Sequence, residues 1–178
     1  MVSARDVLRC DRPEDCEVGG YMFSCRGCTE ADADLILNLA RACPPLDVHT
    51  AYTYWVVCHL YGGTSSILMD DQEAVGYIMG VPKDRTLFIW QLGVLPRYRG
   101  QGLTALLFNA LLSSSASRFD EIELTIAPDN NASFGALASW SRANGLRIEE
   151  LGIIAVPEHH EPGEILYRLQ LHGATRPD

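Results

Sequence analysis

The sequence predicts an α/β protein with one mixed, largely antiparallel sheet flanked by helices. Three observations predict it. Three strand patterns follow one another at hairpin spacing, roughly Thr64–Met69, Ala74–Val81 and Thr86–Val94. An amphipathic helix pattern, Leu103, Leu106, Leu107, Ala110 and Leu111, comes directly after the third. From there strands and helices alternate to the end of the chain. The full order is strand, two helices, three hairpin strands, helix, strand, helix, two strands, which fits one sheet with helices on its faces.

Each element has a local reason. Residues 1–20 have no strong period and end in Gly19-Gly20, so they read as a mobile N-terminal arm. Tyr21 to Arg26 is a short strand. Thr29 followed by Asp32 is a helix-start signal, with the hydroxyl expected to cap free N–H groups. Leu35, Ile36, Leu39 and Ala40 share one helical face, and Pro44-Pro45 cannot continue that helix. Ala51 to Tyr61 reads as a second helix stopped by Gly62-Gly63. Turns are expected at Asp70-Asp71 and Pro82-Lys83-Asp84. Ile122, Leu124 and Ile126 alternate as a strand. Ser133 to Ala143 is helical and ends on the C-cap signal Asn144-Gly145. Leu146–Val156 and Glu164–Leu171 are the last strands. One domain over residues 21–172 is expected, with a short tail at 173–178.

Composition narrows the function. The chain has 178 residues, 47% hydrophobic and 21% charged, the mix of a globular protein. Fourteen Lys and Arg face 23 Asp and Glu, a net charge of −9. Nucleic acid and anionic membranes need clustered positive charge, so neither is an expected partner. No apolar run reaches the ~18–20 residues of a membrane span. Met1 to Glu17 is polar and lacks the apolar stretch of a secretory signal, so the cytoplasm is the expected location. In that reducing compartment the six cysteines are expected to be free thiols. Cys25-x-x-Cys28 has no second ligand pair at metal-site spacing, so no metal is expected.

The most informative segment is Phe88 to Leu103. A strand ends in Leu92-Gly93-Val94, a loop reads Arg97-Tyr98-Arg99-Gly100-Gln101-Gly102, and a helix begins. A strand, a glycine loop and a helix N-terminus together suit a phosphate: loop and first-turn N–H groups point at the anion and the helix dipole favours it. Gly100 and Gly102 allow close backbone approach, and Arg97 and Arg99 add possible charge-assisted bonds. A nucleoside-triphosphate loop would need Gly-Lys-Ser or Gly-Lys-Thr, which is missing. A dinucleotide fold would need a parallel crossover with three spaced glycines, whereas hairpin strands come first here.

Arg97, Gly100 and Gly102 resemble the signature of the GNAT superfamily of N-acetyltransferases: Gln or Arg, two residues, Gly, one residue, Gly or Ala. The resemblance covers about residues 21–172. It implies acetyl-coenzyme A as co-substrate, with its pyrophosphate on the loop and its pantetheine arm along Leu92, Gly93 and Val94. Arg97, Arg99, Gly100, Gln101, Gly102, Leu103 and Asn130 complete the implied cofactor set. A homodimer is the superfamily expectation.

Five further blocks resemble the L-2,4-diaminobutyrate acetyltransferase family of ectoine biosynthesis. They are Cys43-Pro44-Pro45-Leu46-Asp47 with Tyr52 and Tyr54; Phe88-Ile89-Trp90-Gln91; Arg99 to Leu103; Thr125-x-Ala127-Pro128-Asp129-Asn130-x-Ala132-Ser133; and His160-Glu161-Pro162 leading to Leu166-Tyr167-Arg168. This resemblance implies acetylation of the γ-amine of diaminobutyrate. Such a substrate needs carboxylates for its ammonium groups. Asp47 follows a Pro-Pro stop and either holds an ammonium group or caps the next helix. Trp90 on the cofactor strand suits a pocket wall or a cation–π contact. Tyr52 and Tyr54 read as packing residues, with a hydroxyl at the pocket lip as the functional alternative. In the Glu158-His159-His160-Glu161 cluster, Glu161 is a candidate for an ammonium group and Glu158 and His160 for a proton acceptor. The same cluster also fits a solvated turn.

The implied mechanism is direct attack of a deprotonated amine on the thioester, with oxyanion stabilisation by N–H groups near Leu92. Many GNAT enzymes place a tyrosine in the helix after the Asn to protonate the leaving thiolate. That position falls near Leu137 here, which leaves the general acid unassigned. Two alternatives stand beside this reading: a GNAT enzyme for a polyamine or aminoglycoside, and a non-catalytic acyl-coenzyme-A-binding module.

Overall fold

A computed structural model describes residues 9–12, 15–18, 21–115, 118–154 and 163–171. The chain is a mixed α/β protein whose strand pairing is mostly antiparallel. It divides into two compact units: residues up to Gly80 together with Gln91–Ser115, and Val81–Trp90 together with the rest.

In the first unit, β1 (Arg9–Arg12), β2 (Asp15–Val18), β3 (Tyr21–Gly27), β4 (Ser65–Asp70) and the first part of β5 (Glu73–Lys83) pair in sequence order, each antiparallel to the next. β1 and β2 fall where the sequence suggests only an arm. Their short runs, Arg9-Cys10-Asp11-Arg12 and Asp15-Cys16-Glu17-Val18, carry too little apolar pattern to mark strands, and backbone ladders pair β1 with β2 and β2 with β3.

α1 (Ala33–Arg41) begins after a short 3-10 turn, Glu30–Asp32. Thr29 and Asp32 form a capping box at this start. The Asp32 carboxylate accepts the Thr29 N–H at 2.8 Å and the Thr29 hydroxyl at 3.0 Å. It also takes two bonds from the Arg26 guanidinium, at 2.7 and 2.9 Å. Ile36, Leu39 and Ala40 are buried as their spacing requires. α2 (Ala51–Tyr61) packs on α1, and α3 (Leu103–Ser115) lies against β3 and β4. Leu103, Leu106, Leu107, Ala110 and Leu111 of α3 are all buried. The Cys25 thiol on β3 reaches the Leu106 carbonyl at 4.0 Å. Cys28 is also buried, and its hydrogen bond with Cys58 pushes the Cys28 thiol up from its ordinary value. Among the described residues no cluster of His, Cys, Asp or Glu could hold a metal ion.

In the second unit, β6 (Thr86–Val94, whose end belongs to the first unit) runs parallel to β7 (Glu121–Ile126). β7 pairs antiparallel with β9 (Glu164–Gln170), and β9 with β8 (Ile148–Ile154). α4 (Asn131–Ala143) buries Leu137 and Trp140. It starts two residues earlier than its apolar pattern suggests, because Asn130 caps it. The turn between β5 and β6 sits at Asp84-Arg85, so Pro82 and Lys83 belong to the strand. Asp84 has φ +53° and Asp71, in the preceding turn, has φ +50°. Asp tolerates this left-handed region better than most residues, which fixes both reversals on it.

The Arg26–Asp32 pair supports a stability prediction. The Arg26 guanidinium beside Asp32 holds its carboxyl below the usual carboxylate range. A carboxyl with a depressed folded-state pKa stabilises the fold fully above the unfolded value of about 3.9, and that contribution fades as pH falls through the folded value. Asp32→Asn is expected to unfold about 1–3 kcal/mol more easily at neutral pH. The gap to the unmodified chain should shrink steadily below about pH 4. Denaturant curves at several pH values check this, and a gap that widens toward acid contradicts it.

Candidate active site

β6 alternates cleanly. Leu87, Ile89, Gln91 and Gly93 are buried, while Phe88, Trp90 and Leu92 are half-buried on the other face. Gln91 is polar, sits at an apolar position and is only 7% exposed. Its side-chain oxygen accepts the Tyr77 hydroxyl at 2.7 Å and the Tyr54 hydroxyl at 3.1 Å. Its amide nitrogen donates to the backbone carbonyl of Asp47 at 2.8 Å. Tyr54 and Tyr77 are fully buried, and burial raises the Tyr77 phenol from its ordinary value. All three polar groups are therefore satisfied by one another, as buried polar groups must be.

Gln91 fastens one end of the Cys43–Asp47 segment to the strand. Two residues on, Gly93 lets the middle of that segment come close. A Cβ at Gly93 would lie 2.9 Å from Leu46 Cδ1, 2.9 Å from a Tyr77 ring carbon and 3.4 Å from Cys43 Cβ. Gly76 is needed for the same reason, since its Cβ would meet the Gly93 carbonyl oxygen at 2.9 Å.

After β6 the chain turns through Pro96–Tyr98 into the glycine loop. The β4–β5 turn grips this stretch. The Tyr98 hydroxyl donates to Asp70 at 2.8 Å, and Arg97 pairs with Glu73. Gly100 and Gly102 have φ +77° and +79°, and nothing lies within 4 Å of where either Cβ would be. The loop surface is therefore open at both glycines, and only a residue without a side chain takes that backbone comfortably. The Ala105 N–H closes on the Gly102 carbonyl at 3.0 Å. A helix start leaves its first N–H groups without intrahelical partners. An open glycine cradle leading into a helix N-terminus suits a diphosphate.

The expected site residues fall into four groups. Leu92, Gly93, Val94, Gly100, Gln101, Gly102 and Leu103 lie along the strand end, the loop and the helix start, as expected. Both arginines are engaged within the protein: Arg97 with Glu73, and Arg99 with two carbonyls, those of Val94 and Pro44, each at 3.0 Å. Asp47 is exposed at the end of the fastened segment. It does not cap α2. Thr50 does, accepting the Thr53 N–H at 3.2 Å. Tyr52 is 72% exposed and stacks on Trp55, with ring centroids 6.1 Å apart. In the second unit, Asn130 caps α4 by accepting the Ser133 N–H at 3.1 Å. Glu158, His160 and Glu161 lie outside the described residues.

Sequence reasoning missed Gln91, Tyr54 and Tyr77 as a group. The available signal was a glutamine at a position where strand alternation demands an apolar residue.

The profile of the Acetyltransferase (GNAT) family matches residues 33–139. A Streptomyces coelicolor protein named L-2,4-diaminobutyric acid acetyltransferase is 34% identical over 95% of this chain and 96% of its own. One of the same name from Nocardia farcinica is 32% identical over 78% of this chain and 75% of its own. Among solved structures, diaminobutyrate acetyltransferase EctA from Paenibacillus lautus, in complex with its substrate L-2,4-diaminobutyric acid and coenzyme A, superposes with a TM-score of 0.77. That match is at 24% identity and covers 85% of this chain and 96% of the other.

Proposed function

This chain belongs to the acetyltransferase (GNAT) family, and on that premise we propose that it transfers the acetyl group of acetyl-coenzyme A to the γ-amine of L-2,4-diaminobutyrate. The product is N4-acetyl-L-2,4-diaminobutyrate. The observation that carries this reading is the likeness, over nearly the whole chain, to a relative named for that reaction. The site geometry supports it. The open cradle of Gly100 and Gly102, with the start of α3 behind it, fits a diphosphate.

When bound, acetyl-coenzyme A supplies an activated thioester and a thiol leaving group. The residues of this chain do the rest. The glycine loop takes the pyrophosphate, with Arg97, Gln101, Leu103 and Asn130 in the wider cofactor set, and the strand end Leu92–Val94 lies along the pantetheine arm. Asp47 holds an ammonium group of the diamine, and Glu161, Trp90 and Tyr52 are the further candidates for binding it. Glu158 or His160 accepts the proton that the attacking amine must lose, since an alkylammonium has a pKa near 10. The amine nitrogen then bonds to the carbonyl carbon, the carbon–sulfur bond breaks with the sulfur leaving as thiolate, and the nitrogen gives up its second proton, through solvent, to that thiolate, leaving the neutral amide and coenzyme A. This reading includes a homodimer in the reducing cytosol. Cys25, Cys28, Cys43 and Cys58 are all buried free thiols, which suits such a compartment. No described helix is long and apolar enough to cross a membrane.

Thiol release from acetyl-coenzyme A, measured across a panel of diamino acids, polyamines and aminoglycosides, tests the proposal. Diaminobutyrate is expected to give the highest kcat/KM. Preference for a polyamine or an aminoglycoside would replace the substrate, and no turnover with any amine would favour a binding module.

A further inference from the structure

Arg99 stands in the glycine-loop signature, where a phosphate ligand is the obvious role. Its contacts point elsewhere. Nε donates to the Val94 carbonyl at 3.0 Å, and Nη2 donates to the Pro44 carbonyl at 3.0 Å. One edge of the guanidinium fork thus bridges the end of β6 and a segment more than fifty residues away in sequence. The far end of the same segment is held by Gln91, through the Asp47 carbonyl at 2.8 Å. Leu46, between the two fastenings, and Cys43, just before the first, rest over Gly93. The Cys43–Asp47 segment is therefore strapped at both ends to the strand and loop that form the cofactor side of the site.

We infer that Arg99 is a positioning residue for the amine substrate: it holds the Asp47 segment in register with the cofactor strand, and it is not a ligand of the coenzyme A phosphates. The inference rests on the proposed role of Asp47. A lysine could not replace Arg99, because a point ammonium on a flexible stem lacks the planar fork that reaches two carbonyls in fixed directions. A phosphate ligand would behave differently, since lysine serves phosphate well as a point charge.

The test uses the full-length chain and its Arg99→Ala and Arg99→Lys variants. Three quantities are read: KM for diaminobutyrate, acetyl-coenzyme A affinity by calorimetry, and amide hydrogen exchange in peptides covering residues 42–50. Arg99 is solvent-exposed, so both variants are expected to fold, and the exchange of β3 and β4 peptides checks this. Both variants should raise KM for diaminobutyrate about tenfold. Both should exchange faster within residues 42–50 and change acetyl-coenzyme A affinity less than about threefold. An affinity loss of about tenfold in Arg99→Ala, restored by Arg99→Lys and with exchange in 42–50 unchanged, would make Arg99 a phosphate ligand and overturn the inference. Should a variant unfold, exchange over 42–50 in the intact chain on adding acetyl-coenzyme A decides instead. Slower exchange supports the strap and unchanged exchange contradicts it. If the unmodified chain turns over no diaminobutyrate, the proposed function fails, while the exchange data still judge the strap.

Discussion

Gly102→Glu is expected to leave the chain folded and unable to bind acetyl-coenzyme A. Gly102 has φ +79°, so any side chain there strains the backbone by about 1–2 kcal/mol. Nothing packs within 4 Å of its Cβ position, so the fold itself has room for a glutamate. What the glutamate occupies is the open face of the cradle, and it places a negative charge where the proposed pyrophosphate sits. The favourable field of the α3 N-terminus is then opposed at its source. Gly102→Ala separates the two effects: it keeps the strain without the charge and should weaken binding far less. Calorimetry with acetyl-coenzyme A, alongside circular dichroism, reads both. Near-normal affinity in folded Gly102→Glu would remove this loop from the cofactor site.

Asp47→Asn is expected to lower kcat/KM toward diaminobutyrate by roughly ten- to a hundredfold. A charge-assisted contact contributes about 1.5–3 kcal/mol, and about 1.4 kcal/mol corresponds to a factor of ten. The structure sharpens this prediction. Sequence alone allowed Asp47 to be the cap of α2, but that role belongs to Thr50. The Asp47 segment is held through its backbone carbonyl, which asparagine retains. The melting temperature and acetyl-coenzyme A affinity should therefore stay near those of the unmodified chain. Thr50→Ala should show the complementary pattern, with stability lower by about 0.5–2 kcal/mol and catalysis little changed. Unchanged efficiency in Asp47→Asn would take Asp47 out of the site.

The parts of the fold set by local periodicity were legible in the sequence. α3 shows its buried stripe at helical spacing, and β6 shows its alternation, so the strand, loop and helix could be placed before any coordinates. α2 ends at Tyr61, where Gly62-Gly63 predicts a stop. What depends on distant partners was not legible. β1 and β2 are too short to show a period and exist by pairing, β1 with β2 and β2 with β3. The bonds of Gln91 were not legible, because its partners lie 14, 37 and 44 residues away. For Arg99 the spacing to the glycines is visible in the sequence, whereas its bond to the Pro44 carbonyl, 55 residues away, is not. At the start of α1 the residue types were informative, since Thr29 and Asp32 form a capping box, but the Arg26 bonds to the same carboxylate were not visible.

The position of the acetyl group in the product tests the central claim most directly. Diaminobutyrate has two amines, and only a site that orients the substrate through its other charges selects one of them. Two-dimensional NMR of the product from the thiol-release reaction is expected to place the acetyl group on the γ-nitrogen alone, with one equivalent of coenzyme A released per acetyl transferred. Acetyl groups on both nitrogens, on the α-nitrogen, or on neither while acetyl-coenzyme A is consumed would contradict the account.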